Sequence, residues 1–227
     1  MHGLGRIAHD RGDPATAEYW YRRSVDEAGD ARGLNGMGVL CSDRLDDEGA
    51  AYWFRRAIDE HGYARSHRNY ALDLMERSDL DGAERYFRAA LDGGETDAYT
   101  NLGQVHQNRG QMQRAVACYR KAHTIGEPFG TLNLGHACLK AGLQESAEYW
   151  FTRTSEAHGE PVALAHEALA RIQWKGGRVD DALASFQKAA GGGARGALAW
   201  LGVQCTVDGD TEGARGWFDR VLSLIHI

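Results

Sequence analysis

Asn69, Asn101 and Asn133 stand at one phase of the chain, 32 residues apart, and each amide carries both hydrogen-bond donors and an acceptor. A ladder of such groups could pair with the backbone of an extended chain without reading its sequence. The same residues could equally serve helix packing. Covalent chemistry finds no comparable constellation. The ten histidines include no H-E-x-x-H and no recurring Cys-His pair at ligand spacing, so no metal site is expected. There is neither a Gly-rich phosphate loop after a strand pattern nor a nucleophile elbow, and Gly191-Gly-Gly193 follows a helical pattern as a connector would. The residues point to a binding protein without cofactor, not to an enzyme.

With 43% hydrophobic residues, 26% charged and three prolines, the chain can bury a sizeable core. A net charge of −6 gives no global support to a phosphate-binding surface, so nucleic acid is not the expected partner. Cys41, Cys118, Cys138 and Cys205 form no C-x-x-C pair, and three of them stand three residues after a recurring anchor; they read as reduced packing residues. No signal peptide and no long apolar run appears, which excludes a membrane span and suits the cytoplasm.

The elements that must position the amides are set by a repeated frame. A small residue recurs at Gly5, Gly38, Ala71, Gly103, Gly135, Ala170 and Gly202; an alanine follows twelve residues on, from Ala17 to Ala214; an aromatic stands four further, at Tyr21, Phe54, Phe87, Tyr119, Phe151, Phe186 and Phe218. A period of 32–35 residues means stacked supersecondary units, each unable to bury its apolar face without a neighbour. In the fourth unit Tyr99, Leu102, Gly103 and His106 mark one helical face (helix A), Arg109-Gly-Gln111 breaks the pattern, and Ala115, Cys118, Tyr119 and Ala122 mark a second helix (helix B). His106 reads as a packed histidine. Gly12, Gly142, Gly177 and Gly209 recur at the A–B turn, with Leu45 or Ser78 in their place in two units. One interval departs: Ala147 to Ala170 spans 23 residues where the others span 20 or 21, so the extra length falls near His158-Gly-Glu-Pro161. It predicts either a local change of path or a slightly longer helix B.

The frame resembles the tetratricopeptide repeat. Leu102-Gly103, Leu134-Gly135 and Leu201-Gly202 match its Leu-Gly pair, and Ala57, Ala90, Ala122 and Ala189 match its final small residue. Tyr19-Trp-Tyr-Arg-Arg23, Tyr52-Trp-Phe-Arg-Arg56 and Tyr149-Trp-Phe-Thr-Arg153 are similar to Sel1-type repeats, without the Sel1 insertion, and suggest a bacterial source. The resemblance implies an all-α fold, a right-handed α-solenoid of about seven tandem antiparallel helix pairs. One domain over 1–221 is expected, with repeats near 1–29, 30–62, 63–95, 96–127, 128–160, 161–193 and 194–221. The tail Leu222-Ser-Leu-Ile-His-Ile227 matches the translation of a transposase adapter and reads as a sequencing scar, which makes the chain a fragment.

The resemblance also implies that A helices line a concave groove for an extended peptide or a partner helix. Candidate groove residues are Asn69, Asn101, Asn133, Arg65, Arg68, Gln104, Gln107, His136, Lys140, Arg171 and Lys175, with Asn108 and Trp174 beside them. A mildly basic groove on an acidic protein suggests an acidic peptide, since Arg forks suit carboxylates; a solvated mixed-charge face is the alternative. Of the family's carboxylate clamp only fragments such as Arg65 and Asn69 are present, so terminal-carboxylate recognition is not implied. Trp20, Trp53, Trp150 and Trp217 share one helix-B position and read as inter-repeat packing or a convex apolar stripe. The leading expectation is a protein-interaction scaffold. The alternative is a regulatory or sensor arm of a larger bacterial signalling protein, acting on a fused effector domain. Helical-repeat RNA binding is disfavoured by the charge and by the lack of a repeated base-reading pair.

Overall fold

The computed structural model describes residues 1–159 and 161–223, and among these lie fourteen α-helices and no strand. They are α1 (His2–Asp10), α2 (Pro14–Ala28), α3 (Ala31–Asp43), α4 (Asp47–His61), α5 (Ala64–Glu76), α6 (Leu80–Asp92), α7 (Ala98–Asn108), α8 (Met112–Thr124), α9 (Pro128–Lys140), α10 (Gln144–Ser155), α11 (Pro161–Lys175), α12 (Val179–Gly191), α13 (Arg195–Val207) and α14 (Thr211–Ser223). Odd-numbered helices carry the small anchor and even-numbered ones the alanine and aromatic. Of the terminal segment read as a scar, Leu222 and Ser223 close α14; positions 224–227 lie outside the described residues.

A left-handed residue makes each A–B turn, and in four of the turns a capping aspartate follows it. Gly12 at φ +73° is followed by Asp13, whose carboxylate accepts from the Thr16 N–H at 3.0 Å. Asp46, Asp79 and Asp210 repeat this, accepting from Gly49, Gly82 and Gly213. Each cap satisfies an orphan donor of the B helix, a contribution of about 1 kcal/mol. Leu45 and Ser78 occupy the same left-handed position at φ +57° and +64° without being glycine, so the turn geometry is imposed by the helices on either side of it.

The chain divides into two compact units, Met1–Cys118 and Tyr119 onward, with the boundary inside α8. In the first, α1/α2, α3/α4 and α5/α6 pack as pairs, and α1, α3, α5 and α7 pack side by side in succession. In the second, α9/α10, α11/α12 and α13/α14 are the pairs, and α9 packs on α11. The frame residues explain the closeness of each pair. A methyl group added at Gly38 would meet the Phe54 ring at 2.6 Å, and one at Gly135 would meet Phe151 at 2.5 Å. The helix-B aromatic therefore lies directly on the helix-A anchor, and Tyr21 lies on both Gly5 and Gly36 of the next A helix. Phe54, Phe87, Phe151 and Phe186 are fully buried, as are Ala50, Ala83, Ala147 and Ala182. Burial of one such ring stabilises by about 1.5–3 kcal/mol.

The extra residues of the fifth interval do not lengthen helix B. The α10 helix has 12 residues, whereas α2 and α4 have 15 each. Instead α11 starts nine residues before its anchor Ala170, against seven for α3, α5, α9 and α13, and the 156–160 connector takes the remainder. Pro161 at the first turn of α11 costs no hydrogen bond, because that N–H would be unpaired in any case. Glu160 lies outside the described residues.

Candidate functional site

The exposed sides of the A helices differ between the two units. In the first, polar groups satisfy one another. Asn35 on α3 is buried, and its Oδ1 accepts from Ser66 Oγ at 3.1 Å and from Asn69 Nδ2 at 3.0 Å, both on α5. Arg68 Nε donates to Asn101 Oδ1 on α7 at 3.2 Å. Asp73, also buried, accepts from Ser42 Oγ at 2.6 Å and is paired with Arg77, which reaches on to Asp47 at 3.4 Å. Arg65 faces Glu95 at 3.6 Å. Two members of the expected amide ladder are thus drawn into contacts between neighbouring A helices. Gln104 and Gln107 on α7 are half-buried and make no side-chain hydrogen bond among the described residues.

The second unit leaves its side open. Between α9 and α11 lies a cleft of about 560 Å³, lined by His136, Leu139, Gln144, Leu164, Arg171 and Lys175 among others. Two aliphatic residues of its lining stay exposed, Leu139 at 38% and Leu164 at 39%, so both keep apolar surface that a ligand could cover. Glu167 is the acidic residue of the lining, and it is already engaged, with Arg171 Nη2 at 2.7 Å and only 16% of its side chain exposed. Gly196 on α13 presses against it; a methyl group there would meet Glu167 Oε1 at 2.3 Å. Lys140 and Lys175 have no ion-pair partner among the described residues, and Asn133 makes no side-chain hydrogen bond there.

His136 sits edge-on to Phe151, ring centroids 5.0 Å apart. Surrounding protein atoms and then the Lys140 ammonium push its imidazole below the ordinary histidine value, because both disfavour a second positive charge. The cleft therefore has a neutral imidazole beside ammonium and guanidinium groups. His67 in the first unit is also pushed down, by burial, and its Nδ1 is buried without a hydrogen-bond partner.

Of the sequence candidates, the structure brings His136, Lys140, Arg171 and Lys175 together; Arg65, Arg68, Asn69, Asn101, Gln104 and Gln107 belong to the first unit. Asn35, which was not among the candidates, holds both Ser66 and Asn69. Leu139 and Leu164 were not among them either. A signal for the rim was present: five residues after the anchor stand Asp10, Asp43 and Glu76 in the first three repeats, and Lys140 and Lys175 in the fifth and sixth. On the B helices, Trp20, Trp53, Trp150 and Trp217 are half-buried. Their neighbours Tyr19, Tyr52 and Tyr149 are more exposed, 55–58% accessible and edge-on to the indoles at 5.0–5.1 Å, and Phe218 on α14 is 39% exposed. Trp174 is half-covered by an edge contact to Trp200 at 4.9 Å, and Trp200 in turn stacks on Phe186.

No curated protein matches the chain. Solved structures with the same fold do. The C-terminal part of a repeat-containing protein from Cytophaga hutchinsonii is 16% identical with a TM-score of 0.60, covering 99% of this chain and 95% of that one. A protein from Parabacteroides merdae is 16% identical with a TM-score of 0.64, covering 96% and 90%. The Cut9-Hcn1 hetero-tetramer of the APC/C contains a chain 14% identical with a TM-score of 0.68; the match covers 96% of this chain and 45% of that one. At these identities the likeness is one of fold. Models of the tetratricopeptide repeat match residues 1–23, 96–125 and 167–224. Matches at the start, middle and end of a chain whose anchors, alanines and aromatics pack in one recurring way identify it as a member of the tetratricopeptide repeat family.

Proposed function

We propose that this chain is a protein-interaction scaffold that receives a peptide, extended or helical, along the exposed sides of its A helices. The supporting observation is that polar and cationic side chains on these helices, Gln104, Gln107, Asn133, Lys140 and Lys175, have no hydrogen-bond or ion-pair partner among the described residues, while the frame beneath them is close-packed. Close packing of the frame within each unit lowers the entropy lost on binding, which favours recognition by shape and hydrogen bonding. The uncompensated cations of the second unit favour an acidic partner. Among the described residues no group of polar side chains is gathered around one point as a reaction would require.

The test is selection of binders from a displayed random-peptide library on the immobilised chain, followed by titration of a selected peptide against variants. Gln104→Ala with Gln107→Ala, and separately Lys140→Glu with Lys175→Glu, should each weaken binding by about tenfold or more. Undiminished affinity in both double variants would place the interaction elsewhere and overturn the reading.

A further inference from the structure

The cleft between α9 and α11 has a composition that a general peptide groove does not require. Its walls are the exposed faces of Leu139 and Leu164, with Ala168 and Ile172 beneath. Its rim carries Arg171 and Lys175, with Lys140 close enough to depress the His136 imidazole. The one carboxylate of the lining, Glu167, is occupied by Arg171 and covered by α13. An apolar slot of about 560 Å³ is large enough for one or two bulky side chains, and the neighbouring charges are left with a positive excess.

We propose that this cleft is an anchor site for a linear segment in which a large apolar side chain is flanked by Asp or Glu. The inference rests on the scaffold reading above and adds to it the ligand class and its position on the chain. The apolar side chain fills the slot between Leu139 and Leu164, excluding water from both. The flanking carboxylates meet Lys175 and the free nitrogens of Arg171 on one side and Lys140 on the other, at a rim where the low-dielectric slot strengthens the attraction. Neutral His136 lies beside the slot, where an imidazole adds no charge to be desolvated. Neither element suffices alone: a purely acidic chain would leave the leucines wet, and a purely apolar one would leave the ammonium groups unpaired.

Fluorescence anisotropy with three fluorescein-labelled dodecapeptides tests this. The first alternates Asp with Leu and Phe, the second replaces Leu and Phe by Ser, and the third replaces Asp by Asn. The first should bind at least tenfold more tightly than either of the others, and an oligo(A) RNA of the same charge should not compete with it. Lys175→Glu and Leu164→Glu, both at exposed positions, should each reduce affinity about tenfold with circular dichroism unchanged, whereas Gln104→Ala with Gln107→Ala should leave it unaltered. Equal affinity for all three peptides, tighter binding of the RNA, or indifference to both cleft variants would overturn the anchor site. Loss of binding in the Gln104/Gln107 variant with retention in the cleft variants would remove the anchor while leaving the scaffold reading intact. Absence of binding by any of the three would remove the anchor, and the library selection would then decide the scaffold reading separately.

Discussion

Two stretches built on the same frame present opposite surfaces. In the first unit much of the A-helix side is bonded internally: Asn35 holds Ser66 and Asn69, Arg68 holds Asn101, and Asp73 joins Ser42 to Arg77. The rim position five residues after the anchor is acidic there, at Asp10, Asp43 and Glu76. In the second unit the same position is Lys140 and Lys175, the amide Asn133 makes no side-chain hydrogen bond among the described residues, and a cleft opens onto aliphatic side chains. Polar side chains of similar type thus do different work. Where an A helix offers a buried acceptor such as Asn35, the neighbouring amides are used in holding helices together; where it offers leucines and alanines, they keep their hydrogen-bonding capacity.

The largest effects should fall on what the two units share. Phe87→Ala and Phe151→Ala each remove a fully buried ring that sits on a helix-A anchor, and each should lower stability in urea by about 3–5 kcal/mol. A much smaller loss for either would show that the frame is not equally weighted in the two units. Next, Asn35→Ala should cost about 2 kcal/mol, since it leaves the Ser66 hydroxyl and the Asn69 amide without their acceptor. Asn133→Ala should change stability by less than about 0.5 kcal/mol. Equal values for these two asparagines would erase the contrast between a structural and an available amide.

A smaller effect of opposite sign is expected at Leu45, which is 87% exposed and left-handed at φ +57°. Leu45→Gly relieves backbone strain while losing no packing, so the melting transition should rise by the equivalent of about 0.5–1 kcal/mol. The smallest test uses pH. His67 and His136 bind protons less readily in the folded chain than in the unfolded one, since burial depresses both. The unfolded state therefore holds more protons near and below the ordinary histidine value of about 6.5, and stability should fall as pH drops from 7 to 5 and level off above 7. His67→Gln should flatten that slope in the first unit and His136→Gln in the second; an unchanged slope in both variants would contradict the assigned cause.

Much of this was legible in the residues. Anchor, alanine and aromatic recur because a ring of fixed size must lie on a small residue, Gly in five repeats and Ala in two. The A–B turns were legible for a similar reason, since Gly or its substitutes Leu45 and Ser78 recur at the left-handed position, and in four turns an Asp that caps the next helix follows. The site was less so. Arg171 and Lys175 were found from their place in the frame, but Leu139 and Leu164 were not singled out, because an isolated leucine on a helix carries no mark of whether a neighbour covers it. The extra residues near Pro161 likewise left two outcomes open, and helix A took them.

The sequence by itself determined the repeating helix pair, the small-residue contacts within it and the change of charge along the A-helix rim, because each depends on local periodicity and residue size. Only the tertiary structure decided which polar groups were used up and which were left over. That depends on whether the residue one helix away is Asn35, which accepts two hydrogen bonds, or an aliphatic side chain, which accepts none.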